Sequence, residues 1–312
     1  MKRLFNILLF AVCFIVLGTG AALAAASSVN IAHKQGTVSV PVQPQRLVIM
    51  DFGMLDTLDA FIALGLVKND VQVALPKANL PDYLSKYKGG EYVDIGGLKD
   101  FNLETIFAFK PDVIITSGRQ QDFYQELSAI APVWQIDNQP PDYLRGTMQN
   151  IKDLGRIFGV EEQAAIALAN LSEAVRQVHD VAAAKKLKAL VLLTNDGKIS
   201  AYGSGSRFGI IFDALGFEQA DSSIRVGIHG QLVNFEYIAE RNPDIIFVVD
   251  RSIAVSGKAD GVRILNNDLV NGTRAAKNGK IVSLDPSVWY LSGGGLVSLR
   301  MMVDEIGQVL GR

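Results

Sequence analysis

The sequence is poor in cysteine, in histidine and in net charge. Its 312 residues include one cysteine and three histidines, and the formal net charge is −2. The cysteine, Cys13, lies in an apolar N-terminal stretch, which excludes disulfides from the rest of the chain. A near-neutral chain has no global attraction for nucleic acid or for an anionic membrane surface. Beyond the N-terminal stretch no apolar run reaches the roughly 18 residues of a transmembrane helix, so we expect none.

The signatures of nucleotide-binding and hydrolytic enzymes are also missing. The glycine-rich stretch 202–209, YGSGSRFG, lacks the Lys-Ser/Thr pair of a P-loop, and no GxGxxG follows a strand. There is no GxSxG elbow and no clear pair of acid and base. Because His33, His179 and His229 are far apart in the sequence, a zinc or manganese site built on several histidines is not expected. We therefore predict a binding protein rather than an enzyme, with a secreted α/β enzyme as the alternative.

Residues 1–24 have the pattern of a secretory signal peptide. A positively charged head and an apolar core precede the small-x-small cleavage site Ala22-Leu23-Ala24. A lipoprotein signal would need a leucine three residues before Cys13, and Phe10 stands there instead. We expect a soluble periplasmic protein that begins at residue 25 and carries no lipid anchor.

A stretch of eighteen residues occurs twice. Residues 102–119, NLETIFAFKPDVIITSGR, align without a gap with residues 234–251, NFEYIAERNPDIIFVVDR. The identical pairs are Asn102/Asn234, Glu104/Glu236, Ile106/Ile238, Pro111/Pro243, Asp112/Asp244, Ile114/Ile246 and Arg119/Arg251. Each copy predicts a short helix with an asparagine N-cap, a Pro-Asp break and a buried parallel strand that ends in arginine. Ligands of open α/β sheets bind at that end of the strands, so we expect two lobes that each offer one cation to a shared site.

Strand-like and helix-like segments alternate on both sides of one long helical stretch. Outside the repeats, strands are predicted at 46–52, 92–95, 133–136, 187–194, 198–202 and 280–284, and helices at 54–65, 121–131, 207–215 and 296–310. The stretch 142–184 is helical with a break near Gly159. Such alternation is typical of α/β lobes with parallel sheets. We expect an N-terminal lobe at 25–159, a connecting helix at 160–184 and a C-terminal lobe at 185–312.

With these features the chain resembles the substrate-binding proteins of iron-siderophore and cobalamin ABC importers. The resemblance implies the fold of class III periplasmic binding proteins, an α/β fold with two Rossmann-like lobes joined by one long α-helix. Three local matches are similar to the branch that takes ferric catecholate siderophores: an arginine at 119, 207 and 251, the loop RVGIHGQLVNFE around His229, and DPSVWYLSGGG around Tyr290. The resemblance implies a monomeric receptor that hands its ligand to an ABC permease and performs no chemistry on it.

The resemblance assigns Arg119, Arg207 and Arg251 to the ligand. A ferric complex of three catecholates is a trianion, and guanidinium groups suit it because they donate in a fixed fork and keep their proton. We also expect Trp289 to contact the ligand and to report its binding through quenched fluorescence. The competing interpretation is that each arginine is a surface or lobe-packing residue.

His229 and Tyr290 are candidate ligands of the iron itself. Fe(III) is a hard ion, for which a phenolate is a natural ligand and an imidazole an acceptable one. A siderophore with two catecholates leaves octahedral positions open, and these two side chains would fill them. In the alternative, Tyr290 is a core aromatic and His229 a loop residue. We expect no intrinsic cofactor, with Fe(III) present only as part of the bound siderophore.

Glu104 and Glu236 stand in the first turns of the repeated helices. The helix dipole favours acidic residues there in any protein. In the resembling class a glutamate on each lobe docks to arginines of the permease, which implies the same role here. Haem, cobalamin or a hydroxamate siderophore remain alternative ligands; haem could use the same tyrosine and histidine axially, whereas three arginines favour a trianion.

Overall fold

A computed structural model describes residues 27–136, 143–227, 229–257 and 261–311. The predicted signal peptide at 1–24, with Cys13, lies outside the described residues. The strands are β1 (Ser28–His33), β2 (Gly36–Pro41), β3 (Arg46–Ile49), β4 (Gln72–Leu75), β5 (Val93–Asp94), β6 (Val113–Thr116), β7 (Val133–Gln135), β8 (Lys188–Asn195), β9 (Lys198–Tyr202), β10 (Glu218–Gln219), β11 (Gln231–Val233), β12 (Ile245–Asp250) and β13 (Ile281–Leu284).

Twelve α-helices are assigned within the described ranges. They are α1 (Phe52–Ala63), α2 (Leu103–Phe109), α3 (Tyr124–Ser128), α4 (Tyr143–Phe158), α5 (Glu161–Lys185), α6 (Ile210–Asp213), α7 (Phe235–Arg241), α8 (Arg251–Ser256), α9 (Gly261–Ile264), α10 (Asp268–Asn271), α11 (Arg274–Lys277) and α12 (Leu296–Val309). Two 3-10 segments, Asp82–Lys88 and Gly118–Phe123, and a π-helical turn, Ser287–Leu291, accompany them. None of the helices in these ranges combines the length and the apolar character that crossing a membrane requires.

The first sheet contains five parallel strands in the order β5-β4-β3-β6-β7. The inner strand β6 is buried along its whole length. Val113 and Ile115 face the main hydrophobic cluster, whereas Ile114 faces a smaller cluster on the opposite side of the sheet. A strand covered on both faces must be apolar throughout, which explains the unbroken run in the sequence. The parallel sheet predicted for this half is confirmed.

The second sheet has the order β11-β9-β8-β12-β13, with β10 also paired to β8. Its centre is parallel as predicted, because β8, β12 and β13 run in one direction. At the edge, however, β9 runs antiparallel to β8 and β11 antiparallel to β9. The cause is the turn between β8 and β9, where Asp196 (φ 47°) and Gly197 (φ 79°) adopt the left-handed conformation of a two-residue hairpin.

The two copies of the repeat fold alike. Asn102 caps α2 by accepting from the backbone of Thr105, and Asn234 caps α7 by accepting from that of Tyr237. Each helix ends at a left-handed residue and leads through Pro-Asp into β6 or β12. Equivalent elements therefore place residues 119 and 251 at the carboxyl ends of central strands in separate sheets.

Helix α5 joins the two lobes and lies within two residues of its predicted bounds. Its buried residues recur every three or four positions and form one stripe: Ala164, Leu168, Leu171, Val175, Val178 and Ala182. The stripe belongs to a hydrophobic cluster that contains residues of both sheets, such as Ile115 and Val249. Helices α4 and α12 pack against α5. The prediction of one long helix between α/β lobes is confirmed.

A second crossing between the lobes was not predicted. After β13 the chain runs through residues 285–295 and enters α12, which packs on α1 of the first lobe. The approach is so close that a Cβ on Gly53 would lie 2.5 Å from the carbonyl carbon of Gly294. Glycine is required there because no side chain fits between the two backbones. The segment 285–295 is therefore held by both lobes.

One local element was not anticipated from the sequence, and one predicted helix needs correction. The hairpin of β1 and β2 was not anticipated, although its strands alternate in burial. The helix predicted at 207–215 is only the single turn α6, because Gly209 serves as its N-cap. Residue 207 consequently lies in the turn before α6 and does not open a helix.

Candidate functional site

The three predicted arginines lie on elements that reach one place from different directions. Arg119 is in the 3-10 segment after β6, and Arg251 is the first residue of α8, directly after β12. Arg207 lies in the glycine-rich turn before α6. All three side chains are partly buried. The repeat thus supplies two of the cations and an unrelated turn supplies the third.

The structure brings the three arginines together around Tyr290. The guanidinium carbons of Arg119, Arg207 and Arg251 lie 5.9, 4.5 and 5.7 Å from the centroid of the Tyr290 ring. These separations are within the range of cation–π attraction. Arg251 also donates from Nε to the phenol oxygen of Tyr290 at 2.8 Å. The phenol ring is therefore the centre of a cluster of cations, which we call the arginine–tyrosine cluster.

Backbone carbonyls of the π-helical turn complete the cluster. Arg119 donates from Nη2 to the carbonyl of Tyr290 at 2.6 Å and from Nη1 to that of Leu291 at 3.1 Å. Arg207 donates from Nη2 to the same Tyr290 carbonyl at 3.0 Å. The last carbonyls of a short helical turn have no partner inside the helix, so they are available to guanidinium groups. The acceptors are neutral, and an anionic oxygen would bind the same donors more strongly.

The cluster stabilises an aryl oxide. Burial alone would raise the pKa of the Tyr290 phenol, but the hydrogen bond from Arg251 and the charges of Arg207, Arg251 and Arg119 outweigh burial and lower that pKa below 10.0. For Arg119, burial and the nearby charge of Arg207 lower the pKa of the guanidinium, while the carboxyl of Asp51 opposes them. Three like charges in one partly buried site favour any ligand that brings negative charge.

Two further residues of the site were missed by sequence reasoning. Asn195 ends β8, and its side-chain oxygen accepts a hydrogen bond from Nη1 of Arg251 at 2.8 Å. Asp51 follows β3, is buried, and caps α1 by accepting from the backbone of Met54 at 3.1 Å. Burial raises the pKa of the Asp51 carboxyl, and the charge of Arg119 opposes that shift. Both are polar residues at carboxyl ends of central strands, and that position was the available signal.

Trp289 lies beside Tyr290 in sequence but occupies a different environment. Its side chain is only 4% exposed and belongs to the main hydrophobic cluster. The indole nitrogen donates to Oε2 of Glu305 on α12 at 2.7 Å. A ring enclosed in this way is held by packing, so its position does not support the direct ligand contact that we predicted. As a fluorescent reporter close to the cluster it remains useful.

His229 is not part of the arginine–tyrosine cluster as the structure describes it. It lies on an exposed turn between residue 227 and Gly230. Across the described residues, no hydrogen bond or ring contact joins His229 to Tyr290, and no group of three His, Cys, Asp or Glu side chains is arranged to hold a metal. Iron ligation by these two residues stays a prediction.

A groove of about 350 Å³ lies between α4 of the first lobe and α6 of the second. Its lining combines apolar side chains with charged ends: Tyr143, Leu144, Arg145, Met148, Gln149, Lys152, Ile210, Asp213 and Ala214. Space between the lobes is therefore present on this side of the molecule. None of the cluster residues lines this groove, but Tyr143, which does, lies within electrostatic reach of Arg119 and Arg207.

Glu104 and Glu236 are exposed at equivalent positions on α2 and α7. Phe107, one helical turn after Glu104, is 67% exposed. Its counterpart in the second copy is the smaller Ala239. Each lobe thus presents a carboxylate to solvent, and docking through these carboxylates stays a prediction.

The lowered pKa of Tyr290 can be measured directly. In a near-ultraviolet titration, the difference between the wild type and Tyr290→Phe should show a tyrosinate with a pKa below 10.0. The pKa of Tyr290 is lower in the folded than in the unfolded chain, so the ionised phenol contributes to the free energy of unfolding. That contribution is fully present above pH 10 and is lost as the pH falls through the folded pKa. Arg251→Gln should move the transition upward. Burial raises the pKa of Tyr143 and Tyr202, so these residues should not mimic the signal, and a transition at or above 10 would contradict the cluster.

Comparison with known proteins agrees with this architecture. The petrobactin-binding protein YclQ of Bacillus subtilis is 41% identical over 273 residues, which cover 88% of this chain and 84% of YclQ. The crystal structure of YclQ matches with a TM-score of 0.87 at 38% identity and covers 92% of this chain and 99% of YclQ. The ferric-anguibactin-binding protein FatB of Vibrio anguillarum is 33% identical over 284 residues, or 88% of this chain and 85% of FatB.

A further solved structure and a family profile extend the comparison. The periplasmic catecholate-siderophore binding protein VctP from Vibrio cholerae matches with a TM-score of 0.82 at 32% identity and covers 90% of this chain and 100% of VctP. The profile of the family described as periplasmic binding protein matches residues 55–288. This match spans most of the chain and includes parts of both lobes and the whole of the helix that joins them. The chain belongs to the periplasmic binding protein family.

Proposed function

We propose that the protein binds a ferric catecholate siderophore between its two lobes and delivers it to an inner-membrane ABC permease without altering it chemically. The arginine–tyrosine cluster carries this proposal. Its three guanidinium groups remain protonated at any physiological pH and rest on neutral acceptors. The oxygens of a catecholate are aryl oxides, and the same cluster lowers the pKa of the one aryl hydroxyl that it surrounds, that of Tyr290. The names of YclQ, FatB and VctP, which specify petrobactin, ferric anguibactin and catecholate siderophores, support the same ligand class.

The charge of the cluster separates catecholates from the alternatives. Ferric hydroxamate complexes lack the excess negative charge that three arginines require, and cobalamin offers no comparable anion at its metal. Haem could use Tyr290 and His229 as axial ligands, but three arginines favour a trianion. In the proposed reaction cycle iron is part of the cargo and the protein has no resident metal.

We further propose that the chain is exported by a cleaved signal peptide and works as a free monomer in the periplasm. Glu104 and Glu236 would meet basic residues of the permease, one on each lobe. Phe107 would add an apolar contact beside Glu104, where its ring is exposed. The equal placement of the two carboxylates on repeated helices suits a partner with two similar halves.

Ligand titration tests the role of the arginines. Mature protein should bind a ferric catecholate with quenching of Trp289 fluorescence and should not bind a ferric hydroxamate. Arg119→Gln, Arg207→Gln and Arg251→Gln should each weaken binding at least about tenfold, since a charge-assisted hydrogen bond contributes roughly 1.5–3 kcal/mol.

The matched control is Arg300→Gln. Arg300 is an exposed arginine on α12 that pairs with Asp304, so its loss should leave the affinity unchanged. Equal affinity for the hydroxamate and catecholate complexes would refute the proposed ligand class.

Ligand denticity tests direct coordination of iron. If His229 and Tyr290 fill open positions on the metal, His229→Ala and Tyr290→Phe should weaken a tetradentate bis-catecholate complex much more than a hexadentate one. The phenolate-to-iron charge-transfer absorbance of the tetradentate complex should disappear in Tyr290→Phe. Similar losses for both ligand types would rule out ligation and leave a packing or hydrogen-bonding role.

Reconstituted transport tests the docking carboxylates. The double variant Glu104→Ala with Glu236→Ala should keep its siderophore affinity and lose uptake through the permease. Glu162→Ala is the control, because it removes an exposed acid from the first turn of α5 and so imposes the same loss of helix-dipole stabilisation. Normal uptake by the double variant would show that these glutamates serve their helices alone.

A further inference from the structure

The N-cap residue of helix α12 has no side chain to accept from the first-turn amides. Its N-cap residue is Gly295, and the amide of Gly295 donates to the hydroxyl of Ser298 at 3.1 Å. The next three amides, at residues 296, 297 and 298, find no acceptor inside the helix, as at any helix start. Buried amides must nevertheless be satisfied. The acceptors come from a helix more than two hundred residues earlier.

Two neighbouring residues of α1 provide these acceptors. The hydroxyl of Thr57 accepts from the amide of Leu296 at 2.9 Å. The carboxyl of Asp56 accepts from the amide of Val297 at 3.0 Å and from that of Ser298 at 3.1 Å. All three amides of the first turn are thus satisfied from another helix.

The capping residues lie in a fully enclosed environment. Asp56 is 1% exposed and Thr57 is 0% exposed. Burial raises the pKa of Asp56 to about 7, although hydrogen bonds from Ser298, Val297 and Tyr83 oppose that shift. Thr57 in turn donates to the carbonyl of Gly53 at 2.8 Å, at the point where α1 and α12 touch through glycine. A lost hydrogen bond here cannot be replaced by water without moving the helices apart.

The segment held in this way carries Tyr290. Only a few residues separate the π-helical turn Ser287–Leu291 from the start of α12. Arg119 of the first lobe and Arg207 of the second both donate to the Tyr290 carbonyl. The position of the α12 N-terminus therefore decides where the shared acceptor of the two lobes lies.

We propose that Asp56 and Thr57 are positioning residues for ligand binding, which hold Tyr290 among the three arginines by capping α12 from α1. Neither residue belongs to the arginine–tyrosine cluster. They act by fixing the segment 285–295 against the first lobe. This inference takes its ligand from the proposed function, whereas the hydrogen bonds that cap α12 are observed in the structure.

The sharpest test changes the hydroxyl of Thr57. Thr57→Val keeps the shape of the side chain and leaves the amide of Leu296 without an acceptor, whereas Thr57→Ser keeps the hydroxyl. Thr147→Val is the matched control, because Thr147 on α4 is also fully buried and its hydroxyl has no partner in the described structure. Three quantities are measured for each variant: the free energy of chemical unfolding, the affinity for a ferric complex of 2,3-dihydroxybenzoate, and the titration of Tyr290. The Tyr290 signal is the difference between each variant and the same variant that also carries Tyr290→Phe.

Thr57→Val should weaken ligand binding by up to about tenfold, because the ligand must then return the segment 285–295 to its wild-type position against the cost of one unpaired buried amide. It should also raise the pKa of Tyr290 towards 10.0, because the phenol moves away from the guanidinium groups. Thr57→Ser and Thr147→Val should leave both quantities at their wild-type values. Lower stability with an unchanged Tyr290 titration and unchanged affinity would overturn the inference and reduce the cap to a purely structural role.

Two provisions keep the test decisive. If Thr57→Val does not fold, Asp56→Asn takes its place, because it retains one acceptor oxygen. We then expect the same weaker ligand binding and the same rise in the pKa of Tyr290. If the wild type does not bind the ferric probe, the proposed function fails. In that case the near-ultraviolet circular dichroism of Tyr290, taken as the same difference between each variant and its Tyr290→Phe partner, decides the positioning role, because it reports the surroundings of the ring and needs no ligand.

Discussion

Repulsion among three guanidinium groups is the constraint on which the arginine–tyrosine cluster depends. Arg119, Arg207 and Arg251 all lie within cation–π distance of a single ring, so each raises the electrostatic energy of the others. Neutral acceptors hold them in place: two carbonyls of the π-helical turn, the phenol oxygen of Tyr290 and the amide oxygen of Asn195. These bonds orient the cations but do not cancel their charge. For Arg119 the carboxyl of Asp51 opposes the effect of Arg207, and an anionic ligand would reduce the repulsion further.

The repeat places two of the three arginines, and residues outside the repeat supply the rest of the cluster. Equivalent strands deliver Arg119 and Arg251, one from each sheet, to positions that face a common region. Symmetry alone would give a two-fold arrangement of charge. Arg207 and Tyr290 come from elements without a repeated partner, and they convert the pair into a three-sided cluster. The selectivity proposed for catecholates therefore resides in the parts of the chain that are not duplicated.

Much of this organisation was accessible from the sequence because its signals are local. The asparagine caps, the Pro-Asp breaks and the buried strands of the repeat depend on residues close together in the chain. The same holds for the long stripe of α5. The arginine pair followed from a general rule about strand ends, and Tyr290 from a resemblance. The antiparallel strand β9 was also signalled locally, by Asp196-Gly197, but the alternation of strands and helices suggested a parallel sheet instead.

Other features depend on contacts that no local pattern contains. Asp51 and Asn195 acquire their roles only once β3, β6, β8 and β12 are assembled beside one another. Trp289 was predicted to contact the ligand, but its indole lies in the main hydrophobic cluster and donates to Glu305 on α12. No sequence pattern indicated that α1 caps α12. The close contact of Gly295 with the backbone of Gly53 becomes visible only in the folded structure.

The capping of α12 by α1 also has a consequence for how the chain folds. The bonds from residues 296–298 to Asp56 and Thr57 span 239 to 242 positions of sequence. Contacts of such high sequence separation form late, because a long loop must close before they yield any stabilisation. Until those contacts form, the Asp56 carboxyl and the Thr57 hydroxyl have no α12 amide from which to accept a hydrogen bond. The packing of the first lobe therefore includes the last helix of the described chain, and it is complete only when α12 has docked on α1.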